Sequence, residues 1–142
     1  MSKLSRTKGS AFERTVAREL FDRLGLTFSR DLRQYQRSDL GDLLCEDEAF
    51  PFLIECKHKT RPALPEWRRQ AVTAATAQGK TPVVIYRITG RPIRVSAPLS
   101  AIGGPSSLWA DMDLDAFAWI VREAMAETSG IGAATEAREG GE

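Results

Sequence analysis

The residues with the most chemistry in them are Asp42 and, after a gap of twelve, Glu55-Cys56-Lys57. Phe50 to Lys57 reads as a strand. On a strand residues two apart share a face, so Glu55 and Lys57 project together while Ile54 and Cys56 point the other way into a core. Asp42 to Cys45 reads as a second strand, joined to the first by the acidic turn Glu46-Asp47-Glu48-Ala49, and pairing across that turn lays Asp42 against the Glu55 end. Two carboxylates converging on one point with an ammonium beside them need a cation. Carboxylate oxygens, a backbone carbonyl and water suit Mg2+ or Mn2+, and the lysine is placed to orient an attacking water or help take its proton. This is the set of groups that hydrolysis of a phosphodiester requires. Taken alone the pattern stays open, because Glu-x-Lys on a strand also makes an ordinary cross-strand or solvated ion pair. Two cysteines and one histidine cannot form a four-ligand zinc site without other donors, so any metal is expected to be held by oxygen. Cys45 and Cys56 read as core thiols with no redox role.

The elements that must carry these residues follow from periodicity. Residues 10–24 read as a helix: Ser10 as N-cap, Glu13 in the capping-box position, and Phe12, Val16, Ala17, Leu20, Phe21 and Leu24 on one face before Gly25. Residues 26–41 are polar and arginine-studded, with Arg30, Arg33 and Arg37, and read as loop with a short strand. After Pro62 and Pro65 a second helix is expected over Glu66 to Gln78, closed by Gly79. Pro82 to Ile88 reads as a β-branched strand, and another short strand runs to about Val95. A final helix is expected from Leu114 to Ala126, and the Gly-, Ala- and Glu-rich stretch 128–142 is expected to be disordered. The order predicts an α/β (α+β) fold with a central mixed sheet flanked by helices, residues 1–127 forming one domain.

The chain has 142 residues, 42% apolar and 27% charged, enough for an ordinary core without disulfide or metal support. Its longest apolar run, Ala116 to Val121, is far short of the ~20 residues that span a bilayer, and its basic, polar start carries no secretory signal; a cytoplasmic protein is expected. The net charge of +1 hides a segregation. Residues 1–104 hold 18 basic against 11 acidic side chains and residues 105–142 hold 2 against 8. A basic body with an acidic end points to a polyanion partner, with a mixed solvated surface as the alternative.

With Lys8-Gly9-Ser10-Ala11-Phe12-Glu13-Arg14 before the Asp42, Glu55, Lys57 pattern and Arg69-Gln70-Ala71 after it, the chain resembles the PD-(D/E)XK nuclease superfamily over about residues 7–102, and within it the archaeal and phage Holliday junction resolvases. Gly41 stands before Asp42 where many members have Pro. The resemblance implies a restriction-endonuclease-like core and a Mg2+-dependent endonuclease of branched DNA. It implies catalytic roles for Glu13, Asp42, Glu55 and Lys57, with Glu13, Asp42, Glu55 and the Cys56 carbonyl on the metal. Lys8, Arg14, Arg30, Arg33, Arg37, Ser38 and Lys59 are then expected on DNA. His58 is either a further DNA contact or proton carrier, or an exposed strand-end residue; Gln70 either faces the site or lies on the helix surface. Trp67, Trp109 and Trp119 suit packing better than base stacking. Paired cuts in a junction imply a homodimer. A nicking, restriction-like or repair nuclease of the same superfamily and a non-catalytic DNA-binding module are the competing readings.

Overall fold

The computed structural model describes residues 3–30 and 42–140, with side chains described over 9–30 and 42–127. Helix α1 (Lys3–Leu24) leads into β1 (Phe28–Arg30), followed by β2 (Leu43–Cys45), β3 (Phe52–Lys59), α2 (Leu64–Gln78), β4 (Thr81–Ile88), β5 (Arg94–Pro98), a short 3-10 turn (Leu99–Ile102), β6 (Trp109–Met112) and α3 (Leu114–Gly140). The strands form one mixed sheet in the order β1-β2-β3-β4-β5-β6. Only β3 and β4 run parallel, in register from Phe52 opposite Thr81 to Lys59 opposite Ile88. Parallel neighbours need a crossover, and α2 is that crossover.

The period of two in β3 and β4 divides the molecule into layers. Phe52, Ile54, Val83 and Ile85 bury against Phe12, Val16 and Leu20 of α1 and Leu114, Phe117 and Val121 of α3. The alternate residues Leu53, Val84 and Tyr86 bury against Trp67, Ala71, Ala74 and Ala75 of α2. Helices therefore cover both faces, as expected of an α/β arrangement of this kind. Edge-to-face rings link Phe28 to Phe50, Phe50 to Phe52 and Phe52 to Phe117 at centroid separations of 5.1, 5.7 and 5.3 Å. Arg23 ties the two helices of this face together, its Nε donating to Asp115 Oδ1 at 2.7 Å. Gly25 ends α1 at φ 70°, a left-handed conformation that favours glycine, with its N–H on the Phe21 carbonyl.

The structure corrects the expected elements in four places. α1 begins at Lys3, so Ser10 and Glu13 lie inside a helix and no capping box exists at Ser10; Lys, Arg and Leu are good helix formers, and the single Gly9 costs only about 1 kcal/mol. β5 extends to Pro98, and β6 was not expected at all; its four residues pair with β5 from Val95 opposite Met112 to Pro98 opposite Trp109. The backbone of α3 continues to Gly140, past the expected helix end at Ala126, since Ala, Glu and Arg in that stretch favour helix. β3 is shifted two residues toward the C-terminus of the expected strand, to Phe52–Lys59. Among the described residues no helix is long and apolar enough to cross a membrane.

Candidate active site

Asp42 sits immediately before β2, with its backbone N–H on the Ile54 carbonyl at 2.9 Å. That ladder bond places the Asp42 side chain beside β3, where its Oδ2 accepts the backbone N–H of Cys56 at 2.7 Å. Glu55, one residue before Cys56, is buried with 8% of its surface exposed. The two carboxyl groups hydrogen-bond to one another. The convergence expected from the hairpin is therefore present.

The electrostatics of the pair follow from that burial. Glu55 is pushed up to about 8, first by removal from water, then by the Asp42 charge and the hydrogen bond with Asp42, with Lys57 acting against the shift. Asp42 is also raised by burial, and is drawn back by the Cys56 N–H, the Glu55 hydrogen bond, Lys57 and Arg30. Two like charges this close in a desolvated site cannot both ionise freely, so near neutral pH the pair carries a proton. Lys57 is half-buried two residues along the same face and favours the ionised form of both groups.

Glu13 reaches this region from α1, on the helical turn that buries Phe12 and Val16. It is 8% exposed and lies close enough that its charge helps raise Glu55 and that of Asp42 helps raise it. Its carboxylate, however, is taken by Arg30 of β1, whose Nε donates to Oε2 at 2.6 Å. Burial raises Glu13 most, and the Arg30 hydrogen bond is the largest opposing effect. Sequence reasoning assigned Arg30 to DNA and missed this pair, which no local pattern signals. Arg14 is exposed on α1, and its charge favours ionised Glu13.

Among the described residues, no three His, Cys, Asp or Glu side chains are grouped to hold a metal ion. Glu13, expected as a third carboxylate ligand, has its Oε2 on Arg30. Asp42 and Glu55 nevertheless fit a hard divalent cation. Both offer oxygen, their mutual repulsion is relieved by a shared proton that a cation's charge can replace, and Mg2+ is commonly held by one or two carboxylates with water and substrate phosphate completing the shell.

The remaining candidates divide. Lys59 is exposed and continues the face of Glu55 and Lys57. His58 points to the other face, its ring 5.4 Å from that of Phe12, so it packs toward α1 rather than over the carboxylates. Gln70 is exposed on α2. Cys56 packs against the core, and burial pushes its thiol well above the ordinary range; Cys45 also packs there and is raised for the same reason. Neither is placed for redox chemistry. The backbone of Lys8 lies in α1 but its side chain, like Arg33, Arg37 and Ser38, falls outside the described residues. Trp67 is core, its ring 5.8 Å from that of Tyr86; Trp119 is largely exposed on α3.

Residues 4–109 match the family described as "Phage putative PDDEXK endonuclease". This chain belongs to that family. The match runs from α1 to the first residue of β6 and so contains the whole carboxylate site, making the chain a nuclease of the PDDEXK type. Among solved structures it is similar to Hjc, a Holliday junction resolvase from the archaeal hyperthermophile Archaeoglobus fulgidus, at 20% identity and a TM-score of 0.49, over 64% of this chain and 76% of that one. No curated protein matches.

Proposed function

We propose that this member of the PDDEXK family is a Mg2+-dependent endodeoxyribonuclease that cuts branched DNA, four-way junctions in particular. The observation that carries the reading is the buried Glu55 carboxyl set against the half-buried Asp42, with Lys57 on the face of Glu55. A non-catalytic module has no reason to keep two carboxylates together out of water at a cost to stability. Asp42 and Glu55, with the Cys56 carbonyl, are the groups that hold the ion. Bound there, Mg2+ or Mn2+ supplies Lewis-acid charge to the phosphoryl oxygens. The Cys56 N–H fixes the Asp42 carboxylate on one oxygen and leaves its other oxygen free to turn to Glu55 or to a ligand. Lys57 provides a positive charge beside both carboxylates and a donor for the attacking water or a phosphate oxygen. The basic excess of residues 1–104 supports a polyanionic substrate, and the acidic end of the chain lies beyond the catalytic strands.

The test is cleavage of a four-way junction against duplex, flap and single-stranded DNA in Mg2+ and in EDTA. Preferential, Mg2+-dependent nicking of the junction is expected. Equal nicking of plain duplex moves the reading to a nicking, restriction-like or repair nuclease, and no cleavage of any DNA overturns it. Two symmetric cuts in one junction call for two sites at fixed separation, so the proposal includes a two-fold dimer. Light scattering on a protein that makes paired cuts should give twice the mass of the chain; a monomer with that activity removes the dimer.

A further inference from the structure

On the flank of α2 away from the carboxylates lies an open groove of about 430 Å3 between that helix and β6, lined by Pro65, Arg68, Arg69, Val72, Thr73 and Trp109. Helical geometry puts Gln70 on the β3 side of α2 and Arg68 on the β5 and β6 side, so the helix stands between the two surfaces. Arg68 is held in place by contacts that leave its charge unspent. Its Nε donates to the fully buried Ser96 hydroxyl at 3.0 Å, and its guanidinium carbon lies 5.4 Å from the centre of the Trp109 ring. Neither Arg68 nor Arg69 makes an ion pair among the described residues.

Among the described residues, the acids of β6 and of the first turn of α2 leave the groove arginines unpaired. Asp111 of β6 accepts the Tyr86 hydroxyl at 2.6 Å on one oxygen and Arg94 at 2.9 Å on the other. Glu66, in the first turn of α2, pairs with neither groove arginine, and residues 70–104 contain no Asp or Glu. An arginine placed over an aromatic ring with its Nε–H on a hydroxyl keeps the N–H groups of its two terminal nitrogens, which suit phosphate oxygens. Pro65 and the 42%-exposed Val72 supply apolar wall of the kind a sugar packs on.

We infer that this groove is a second DNA contact, binding the sugar-phosphate backbone outside the scissile phosphate through Arg68 and Arg69, so that the substrate straddles α2. The inference rests on the nuclease reading and deepens it. Two phosphate contacts predict a defined electrostatic signature, because each releases condensed counterions when it forms.

The experiment measures binding of a fluorescently labelled four-way junction over a salt series, in Ca2+ to prevent turnover. Arg68→Gln/Arg69→Gln should weaken binding about tenfold near 0.1 M salt and lower the magnitude of the log-log salt slope by roughly 2. Since Arg68 also braces Ser96 and Trp109, Val72→Glu provides a second variant that leaves both arginines in place. It should weaken binding in the same direction, with Val72→Gln close to wild type. Unchanged affinity and slope in both the double variant and Val72→Glu overturn the groove contact while leaving the nuclease reading intact. A wild-type protein that binds no DNA at any salt overturns both.

Discussion

Arg30 closes on Glu13 across 17 residues of chain, Nε to Oε2 at 2.6 Å, and joins β1 to α1 at the edge of the carboxylate site. The pair is largely shielded from water, with 23% and 11% of the two side chains exposed. Glu13 is consequently a positioned charge beside Asp42 and Glu55 rather than a capping residue. Its ionised state depends on a guanidinium contributed by a different element.

Removing Arg30 should cost more than removing the charge of Glu13. Arg30→Ala leaves a buried carboxylate unpaired and should destabilise the fold by about 3 kcal/mol, the range for breaking such a pair. Glu13→Gln keeps an acceptor for the Arg30 Nε–H and should cost under about 1 kcal/mol. Urea unfolding of the two variants and of the double variant gives the coupling; additive losses would show that the pair contributes nothing. On the proposed function, Glu13→Gln should also lose most of its cleavage rate while keeping its fold.

The Asp42 and Glu55 pair makes the stability of the metal-free protein depend on pH in a stated direction. Glu55 has a value near 8 in the folded chain against 4.5 unfolded, so the folded state holds the proton more tightly. Stability from this group is complete below pH 4.5 and is lost as pH rises through about 8. In EDTA the Tm should fall by about 8 °C between pH 6 and 9, what a domain of this size shows for a loss of about 2–3 kcal/mol. Excess Mg2+ should remove most of that fall. A Tm independent of both pH and Mg2+ would exclude the buried proton-sharing pair.

Glu55→Gln separates chemistry from binding. The amide is neutral, as Glu55 is near neutral pH, so thermal stability in EDTA should stay within about 1 kcal/mol of wild type and its fall above pH 7 should flatten. Mg2+-dependent cleavage should be lost and DNA affinity retained, since affinity comes chiefly from cations on phosphates. Asp42→Asn and Lys57→Ala should also abolish cleavage and spare binding. Substantial Mg2+-dependent activity in Glu55→Gln would remove the proposed site.

The part of α3 that packs on the core should be indispensable and the rest dispensable. Phe117 is fully buried against Phe52, and Phe117→Ala should cost about 3–5 kcal/mol. Truncation after Glu127 keeps Phe117, Val121, Ala124 and Met125, the residues packed on that core, and should leave Tm and cleavage near wild type. A large loss of either in the truncated chain would assign the last residues a role.

The features legible from the chain alone are those a local pattern encodes. Period two along β3 put Glu55 and Lys57 on one face and Ile54 and Cys56 on the other, the acidic turn returned Asp42 to the Glu55 end, and period 3.6 put Phe12, Val16 and Leu20 on the core side of α1. These assignments need only the geometry of one strand or helix and its nearest neighbour. The tertiary structure decided the rest, because it depends on which distant groups exclude water from one another. Burial makes Asp42 and Glu55 share a proton, and packing turns Glu13 to Arg30 although either residue alone reads otherwise. The short β6 exists because β5 offers it an edge, and with it came the Tyr86 to Asp111 bond across 25 residues, while the Arg68 to Ser96 bond across 28 joins α2 to β5. Such contacts have no period in the chain, since their partners are brought together only by the closing of the sheet between its two helical layers.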